Sequence, residues 1–243
     1  MMVPRLFCPQ PLASHGLTEL PPAAAHHAQR VLRLKAGDAV TLFNGEGGEF
    51  AGTLAECGRA VRVRLGEWRN VERESPLDLV LAQCLPAGDK MDWVVQKAVE
   101  LGVTRIQPLE AARSVVRLTG ERAVRRGEHW RQVAVSACEQ CGRNRLPDIA
   151  PLQDLRRWLA ELPQNEGGCR LVLSPGEGRR PRDLAGERAF VLLVGPEGGL
   201  DEGEREAARM AGFLPLSLGP RILRTETAGP AALAALGALL GDL

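Results

Sequence analysis

Phe190-Val-Leu-Leu-Val-Gly-Pro-Glu-Gly-Gly-Leu200 and, after a short charged helix, Phe213-Leu-Pro-Leu-Ser-Leu-Gly-Pro-Arg-Ile-Leu-Arg-Thr-Glu-Thr227 decide the fold. Phe190–Val194 and Phe213–Leu218 are nearly unbroken apolar runs of strand length, the pattern of parallel strands buried on both faces. Each run stops at a loop without bulky side chains, Gly195, Pro196, Gly198 and Gly199 in one, Gly219 and Pro220 in the other. In open α/β sheets the ligand sits beyond the carboxyl ends of the strands, where glycine lets the backbone approach it closely. Either loop alone also reads as an ordinary strand-to-helix turn. Two within one stretch favour a ligand crevice.

Working upstream, strands alternate with helices as far back as Arg73-Glu-Ser-Pro76. Leu77–Cys84 is an apolar strand. Asp89–Leu101 then places Met91, Val94, Val95, Ala98 and Leu101 on one helical face, with Gly102 as the stop. Val103–Leu109 is the next strand. Helices are expected at about Glu121–Gln140, with Trp130, Val133, Ala134, Ala137, Cys138 and Cys141 along one stripe, and at Asp154–Leu162, followed by a short strand at Leu171–Leu173. An alanine-leucine helix after Pro230 closes the chain. Repeated βα units argue a parallel sheet covered on both faces, and residues 75–243 are read as that α/β domain. Residues 1–74 read as a small β-rich domain, a half-open barrel: Ala39–Phe43, Glu49–Leu54 and Ala60–Leu65 are strand-length runs, with Asn44-Gly-Glu-Gly-Gly48 as the first turn. Before them, His26–Lys35 reads as a short helix with Arg30 and Arg33 at helical spacing.

Composition excludes several classes. With 44% hydrophobic and 25% charged residues in 243, the chain is an ordinary globular protein, neither disordered nor membrane-embedded. The longest uncharged stretch, Thr227–Gly241, is shorter than the ~20 residues that span a bilayer. No apolar signal-peptide core opens the sequence, and six scattered cysteines read as reduced thiols, so a cytoplasmic location is expected. A net charge of +1 gives no global basic field, but Arg113–Arg145 holds eight arginines (113, 117, 122, 125, 126, 131, 143, 145) against three glutamates (121, 128, 139). This is either a strip facing nucleic acid or a solvated helix face.

Cys138-Glu-Gln-Cys141 has a redox-like spacing but falls late in a helix, and no second pair completes a zinc site. His26 and His27 lack a Cys, Asp or Glu at ligand spacing, so no metal is expected. Gly142-Arg-Asn-Arg145 offers two guanidiniums and an amide suited to phosphates and base edges, or simply ends the helix. Neither a P-loop nor a G-x-S-x-G elbow is present. The Gly-Pro loops therefore hold their ligand by backbone and shape, which suits a nucleoside of little charge better than a triphosphate.

Gly195-Pro-Glu-Gly-Gly-Leu200 together with Leu218-Gly-Pro-Arg-Ile-Leu-Arg-Thr-Glu-Thr227 resembles the RsmE type of ribosomal small-subunit RNA uridine-N3 methyltransferases, in the SPOUT superfamily. Cys138-Glu-Gln-Cys-Gly-Arg-Asn144, Lys90-Met91 after Gly88, and Arg30-Val-Leu-Arg33 resemble other parts of that family, and the match runs from Arg5 nearly to the C-terminus. The resemblance implies a PUA-like β-barrel ahead of a SPOUT domain with a deep trefoil knot, working as a homodimer on 16S ribosomal RNA. It also implies S-adenosylmethionine, held by the turn after Leu173, by Val194, Gly195, Pro196, Glu197, Gly198 and Gly199, and by Leu218, Gly219, Ile222, Leu223, Arg224 and Thr225. Arg5, Arg30, Arg33, Lys35, Arg143 and Asn144 are the candidate RNA contacts. Ala228-Gly229-Pro230 departs from members that carry a second Thr and no proline there, which leaves the helix cap open.

A uridine ring nitrogen must lose its imide proton before it attacks a methyl group, so the site needs proton removal, oxyanion stabilisation and in-line placement. Arg224 is the candidate cationic donor, and Glu226 either orients it or accepts the proton. The alternative is that the two close the loop as an internal ion pair. A non-catalytic RNA-binding protein would need the arginines but not the glycine loops, and an enzyme of free nucleosides would need the loops alone.

Overall fold

The computed structural model describes residues 3–163, 168–176 and 178–243. The chain forms two compact units, Met1–Glu74 with Val135–Leu146, and Ser75–Ala134 with Pro147–Leu243. The segment 135–146, carrying Cys138-Glu-Gln-Cys-Gly-Arg-Asn144, thus belongs with the N-terminal residues and not with the larger unit in which the sequence reading put it.

The first unit is a five-stranded sheet of β1 (Arg5–Phe7), β2 (Leu17–Glu19), β3 (Ala39–Phe43), β4 (Glu49–Cys57) and β5 (Val61–Arg69) in the order β1-β3-β4-β5-β2. Only the β1–β3 pairing is parallel. β5 alternates as its sequence does, with Val61, Val63 and Leu65 turned into a core shared with Leu6, Val40, Leu42 and Leu54. Register shifts at Phe50/Gly52 and Leu54/Glu56 interrupt the β4–β5 ladder, as bulges that bend a sheet do. The helix expected at 26–35 lies four residues earlier. α1 (Pro22–His26) runs into a single π-type turn, His27–Val31, and Arg33 lies outside it at φ 54°, in the left-handed region that stops a helix.

The second unit is a parallel sheet of β6 (Asp78–Cys84), β7 (Arg105–Glu110), β8 (Asp148–Ile149), β9 (Gln153–Asp154), β10 (Cys169–Leu173), β11 (Ala189–Val194) and β12 (Leu214–Leu216). The order is β12-β10-β11-β6-β7-β8, with β9 also on β7. β11 is inserted between β10 and β6, pairing with both along its length, and the chain then passes outside β10 to β12. Phe190–Val194 behaves as read and is buried throughout. The 213–218 run does not: only three residues are strand, at the sheet edge, and Leu214 and Pro215 are exposed, because an edge strand with one neighbour is not covered on both faces.

Helices cover both faces. α2 (Lys90–Glu100) packs on α6 (Thr225–Leu240), with Gly229 of α6 lying over Leu81 of β6. On the other face Leu155, Trp158 and Leu159 of α4 (Leu155–Glu161) and Ala208 of α5 (Glu202–Met210) join Ala82, Cys84, Val191 and Leu193 in one apolar cluster. α3 (Gly120–Cys141) contributes buried Trp130 and Ala134. Pro230 lies inside α6 rather than ahead of its first turn, since the helix begins at Thr225 with Arg224 as N-cap. Its missing N–H leaves the Glu226 carbonyl without the usual helical donor. Among the described residues no helix is long and apolar enough to cross a membrane.

Candidate functional site

Three neighbouring parallel strands, β12, β10 and β11, end on one edge of the larger sheet, and a cavity of about 620 Å³ opens beyond them. Leu173, Val194–Glu197, Gly199, Leu218, Gly219 and Ile222–Thr225 line it, so the loops singled out from sequence converge. Of the turn after Leu173, Ser174 and Pro175 line the cavity, while Glu177 lies outside the described residues. Gly198 is not among the lining residues, and a Cβ built there would stand 3.1 Å from Cβ of Arg113, so this glycine leaves room for the loop after β7. Arg205, Arg209, Phe213 and Arg221 also line the cavity. Arg205 and Arg209 lie outside the glycine-bearing motifs and only their place on α5 brings them in, whereas Arg221 belongs to the second loop and Phe213 to the apolar run ahead of it.

Side chains from distant elements hold these loops. The Thr225 hydroxyl, in the first turn of α6, donates to the Gly195 carbonyl at 2.6 Å and accepts from the Gln83 amide at 3.1 Å. Thr225 and Gln83 are both buried, so this polar pair lies where water cannot replace it. Gly199 has φ +67° and its N–H donates to the Pro196 carbonyl, a turn that a residue with a Cβ resists. Arg113 donates to the Gly198 carbonyl at 3.0 Å. Asp201 and Glu204 cap α5 reciprocally, and the other oxygen of buried Glu204 accepts the Ala112 N–H.

Arg224 is exposed at the α6 N-cap and lines the cavity, and Glu226 is half-buried two residues further on. They do not form the internal ion pair considered from sequence. Glu226 instead pairs with Lys90 of α2, whose Nζ stands 3.0 Å from Oε1. Burial pushes the Glu226 carboxyl up, but its own backbone N–H, Lys90 and Arg224 outweigh burial and hold it below the ordinary glutamate value. It is therefore ionised at neutral pH. In the sequence Lys90 stands beside Met91 after Gly88 and is one of only three lysines, with Lys35 and Lys97, among 31 basic residues.

The proposed RNA contacts separate into two groups within the first unit. Arg30, Arg33 and Lys35 are exposed. Arg5, Arg143 and Asn144 are turned inward. Arg5 donates to Glu49 at 2.5 Å and to the Arg143 carbonyl, Arg143 pairs with Glu74 at 2.6 Å, and Asn144 donates to the Val71 carbonyl. Arg143 and Asn144 are 3% and 0% exposed, which removes them from any surface that meets RNA directly. Much of the Arg113–Arg145 strip is likewise paired: Arg117 with Glu110, Arg125 with Glu121, Arg126 with Asp89 and Arg145 with Glu72. Burial pushes the Cys138 thiol up to about 12, so it is a protonated core side chain.

A cavity at the carboxyl edge of a parallel sheet is where open α/β folds bind their ligands, and the RNA methyltransferase domain model matches residues 73–237, with the RNA methyltransferase PUA domain model matching 20–64. The chain belongs to the ribosomal RNA small subunit methyltransferase E family. It is 34% identical to that protein of Bacillus subtilis over 222 residues, covering 87% of this chain and 86% of the relative. A methyltransferase from Legionella pneumophila, solved in complex with bound SAM, superposes over 100% of both chains with a TM-score of 0.95 and 38% identity. The methyltransferase E of Neisseria gonorrhoeae, bound to S-adenosyl methionine, does so over 100% of both with a TM-score of 0.91 and 37% identity.

Proposed function

We propose that the protein methylates the N3 position of one uridine in 16S ribosomal RNA, using S-adenosylmethionine. The observation that carries this reading is the convergence of both Gly-Pro loops on one cavity in a chain so similar to two proteins solved with that cofactor. The donor set fits. A volume of about 620 Å³ is in the range of small-molecule sites, aliphatic walls from Val194, Leu216, Leu218 and Leu223 suit the faces of a purine, and guanidiniums and one carboxylate suit an amino-acid end. When bound, the cofactor supplies an electrophilic methyl on a sulfonium, and the carbon–sulfur bond breaks to leave a neutral thioether as the nitrogen–carbon bond forms.

The residues of the chain divide the remaining work. Leu173, Val194–Glu197, Gly199, Leu218, Gly219 and Ile222–Thr225 hold the cofactor, and Arg224 stabilises charge that develops on the uracil oxygens when N3 loses its proton. Glu226, ionised, orients Arg224 or takes that proton. Arg30, Arg33 and Lys35, exposed on a unit matched by a PUA-domain model, bind RNA phosphates.

The family resemblance further supports residues 1–74 as a PUA-like RNA-binding domain and 75–243 as a SPOUT domain. The insertion of β11 between β10 and β6 accords with a trefoil knot in it. The same resemblance supports a homodimer acting in the cytoplasm on the assembled small subunit. Incubation with labelled S-adenosylmethionine and undermethylated small subunits tests the reading: label enters one uridine, and absence of label refutes it.

A further inference from the structure

Lys90 is the first residue of α2, just beyond the carboxyl end of β6. Its Nζ stands 3.0 Å from Glu226 Oε1 in the first turn of α6 and 3.5 Å from Glu197 Oε1 in the loop after β11. Glu197 Oε1 also accepts the Ala87 N–H at 2.9 Å, so the loop leading into α2 is fastened to the first cavity loop at two points. The lysine side chain is 37% exposed. Ion pairs so placed contribute little to stability, which leaves geometry as what the arrangement achieves. One ammonium serves two carboxylates, and without it two like charges would stand close together with no cation between them.

We propose that Lys90 is a positioning residue that fixes Glu226 against the Glu197 loop, setting the carboxylate beside Arg224 where the acceptor base enters. This rests on the methyltransferase reading and assigns Lys90 no contact with substrate. The charged groups that face Glu226 are Lys90 from α2, Glu197 from the β11 loop and Arg224 from its own N-cap. Removing Lys90 leaves burial and Glu197, both of which disfavour the ionised carboxylate, opposed by Arg224 and the backbone N–H.

Carbon-detected NMR titration of Glu226 in ligand-free Lys90→Met, Lys90→Arg and wild-type protein tests the assignment. The expected result is a rise of the Glu226 pKa in Lys90→Met and its return in Lys90→Arg. In turnover, Lys90→Met lowers kcat by about tenfold or more and moves the acid limb of the pH–rate profile upward with Glu226. Cofactor affinity measured by calorimetry stays close to wild type, because the Thr225–Gly195 bond remains. An unchanged Glu226 titration overturns the proposal. So does a loss of activity with no displacement of the acid limb, which would mark Lys90 as merely structural. Failure of the wild-type protein to bind the cofactor would instead remove the methyltransferase reading while leaving the NMR outcome readable.

Discussion

Replacing Thr225 by valine keeps the shape of the side chain and removes its hydroxyl, which isolates what the buried link between α6, β6 and the Gly195 loop contributes. The hydroxyl donates to Gly195 at 2.6 Å and accepts from Gln83 at 3.1 Å, while Gln83 keeps a second acceptor, the Cys84 carbonyl at 2.9 Å. The severe loss therefore falls on the Gly195 carbonyl. Stripping this half-buried acceptor of its donor costs about 1–3 kcal/mol, and the weakened Gln83 bond adds roughly 0.5–1 kcal/mol. Exchanging a hydroxyl for a methyl in a buried place returns about 1 kcal/mol. The net cost is about 2 kcal/mol, which lowers the melting transition by roughly 4–8 °C for a chain of this size. Calorimetric scans of Thr225→Val beside Thr225→Ser check it, since serine keeps the hydroxyl and loses only a methyl, about 0.8 kcal/mol. Because the freed loop lines the cavity, cofactor affinity in the valine variant falls by about tenfold, the equivalent of 1.4 kcal/mol. If valine proves no more damaging than serine in either measurement, the polar link is not what holds the loop.

Gly198→Val acts by displacing Arg113 and breaking its bond to the Gly198 carbonyl, so cofactor affinity drops only where the Arg113 loop has moved; unchanged affinity together with unchanged melting would refute this. Glu49→Ala lowers stability by about 3 kcal/mol, the low end for removing one member of a buried pair, since Arg5 keeps Asn144 and the Arg143 carbonyl. Burial pushes the Glu49 carboxyl up, but bonds and charge from Arg5 and Arg69 and the bond from Asn144 depress it overall. A depressed folded value gives stability that is present above the ordinary glutamate pKa and lost as pH falls through the folded one, so wild type loses more on acidification than Glu49→Ala, as parallel melts at neutral and acidic pH would reveal. Replacing Arg30, Arg33 and Lys35 together by alanine weakens RNA binding and flattens its salt dependence by up to about three counterions, leaving cofactor affinity unchanged. An unaltered salt slope in filter binding would take the RNA role from them. Deleting residues 1–74 is a poorer test, because it strips Glu49, Val71 and Glu74 from Arg143 and Asn144.

The elements read correctly were those whose own residues carry the signal. The unbroken run of β11, the single apolar face of α2 and the strict alternation of β5 each need no information from elsewhere in the chain. β1, β2, β8 and β9 escaped because two or three residues give no period to detect, and their pairing partners supply the order. β12 was read as buried because apolar character does not reveal that a strand lies at an edge. In the site, glycine spacing disclosed the loops but not which way each glycine faces, and Gly198 turned toward Arg113. Arg143 and Asn144 show the larger limit. A guanidinium and an amide beside a helix end look alike whether they meet RNA or Glu74 and Val71, which lie some seventy residues away. Lys90 is the same case inverted, since its two carboxylates come from a loop and a helix more than a hundred residues downstream.

The most direct test of the central claim is the identity of the product. Small subunits lacking the modification, incubated with the protein and S-adenosylmethionine, are digested to nucleosides and examined by mass spectrometry. The account predicts 3-methyluridine at a single position of 16S ribosomal RNA, absent when Arg224 is alanine. A methyl group on any other atom or base, or none, would contradict it.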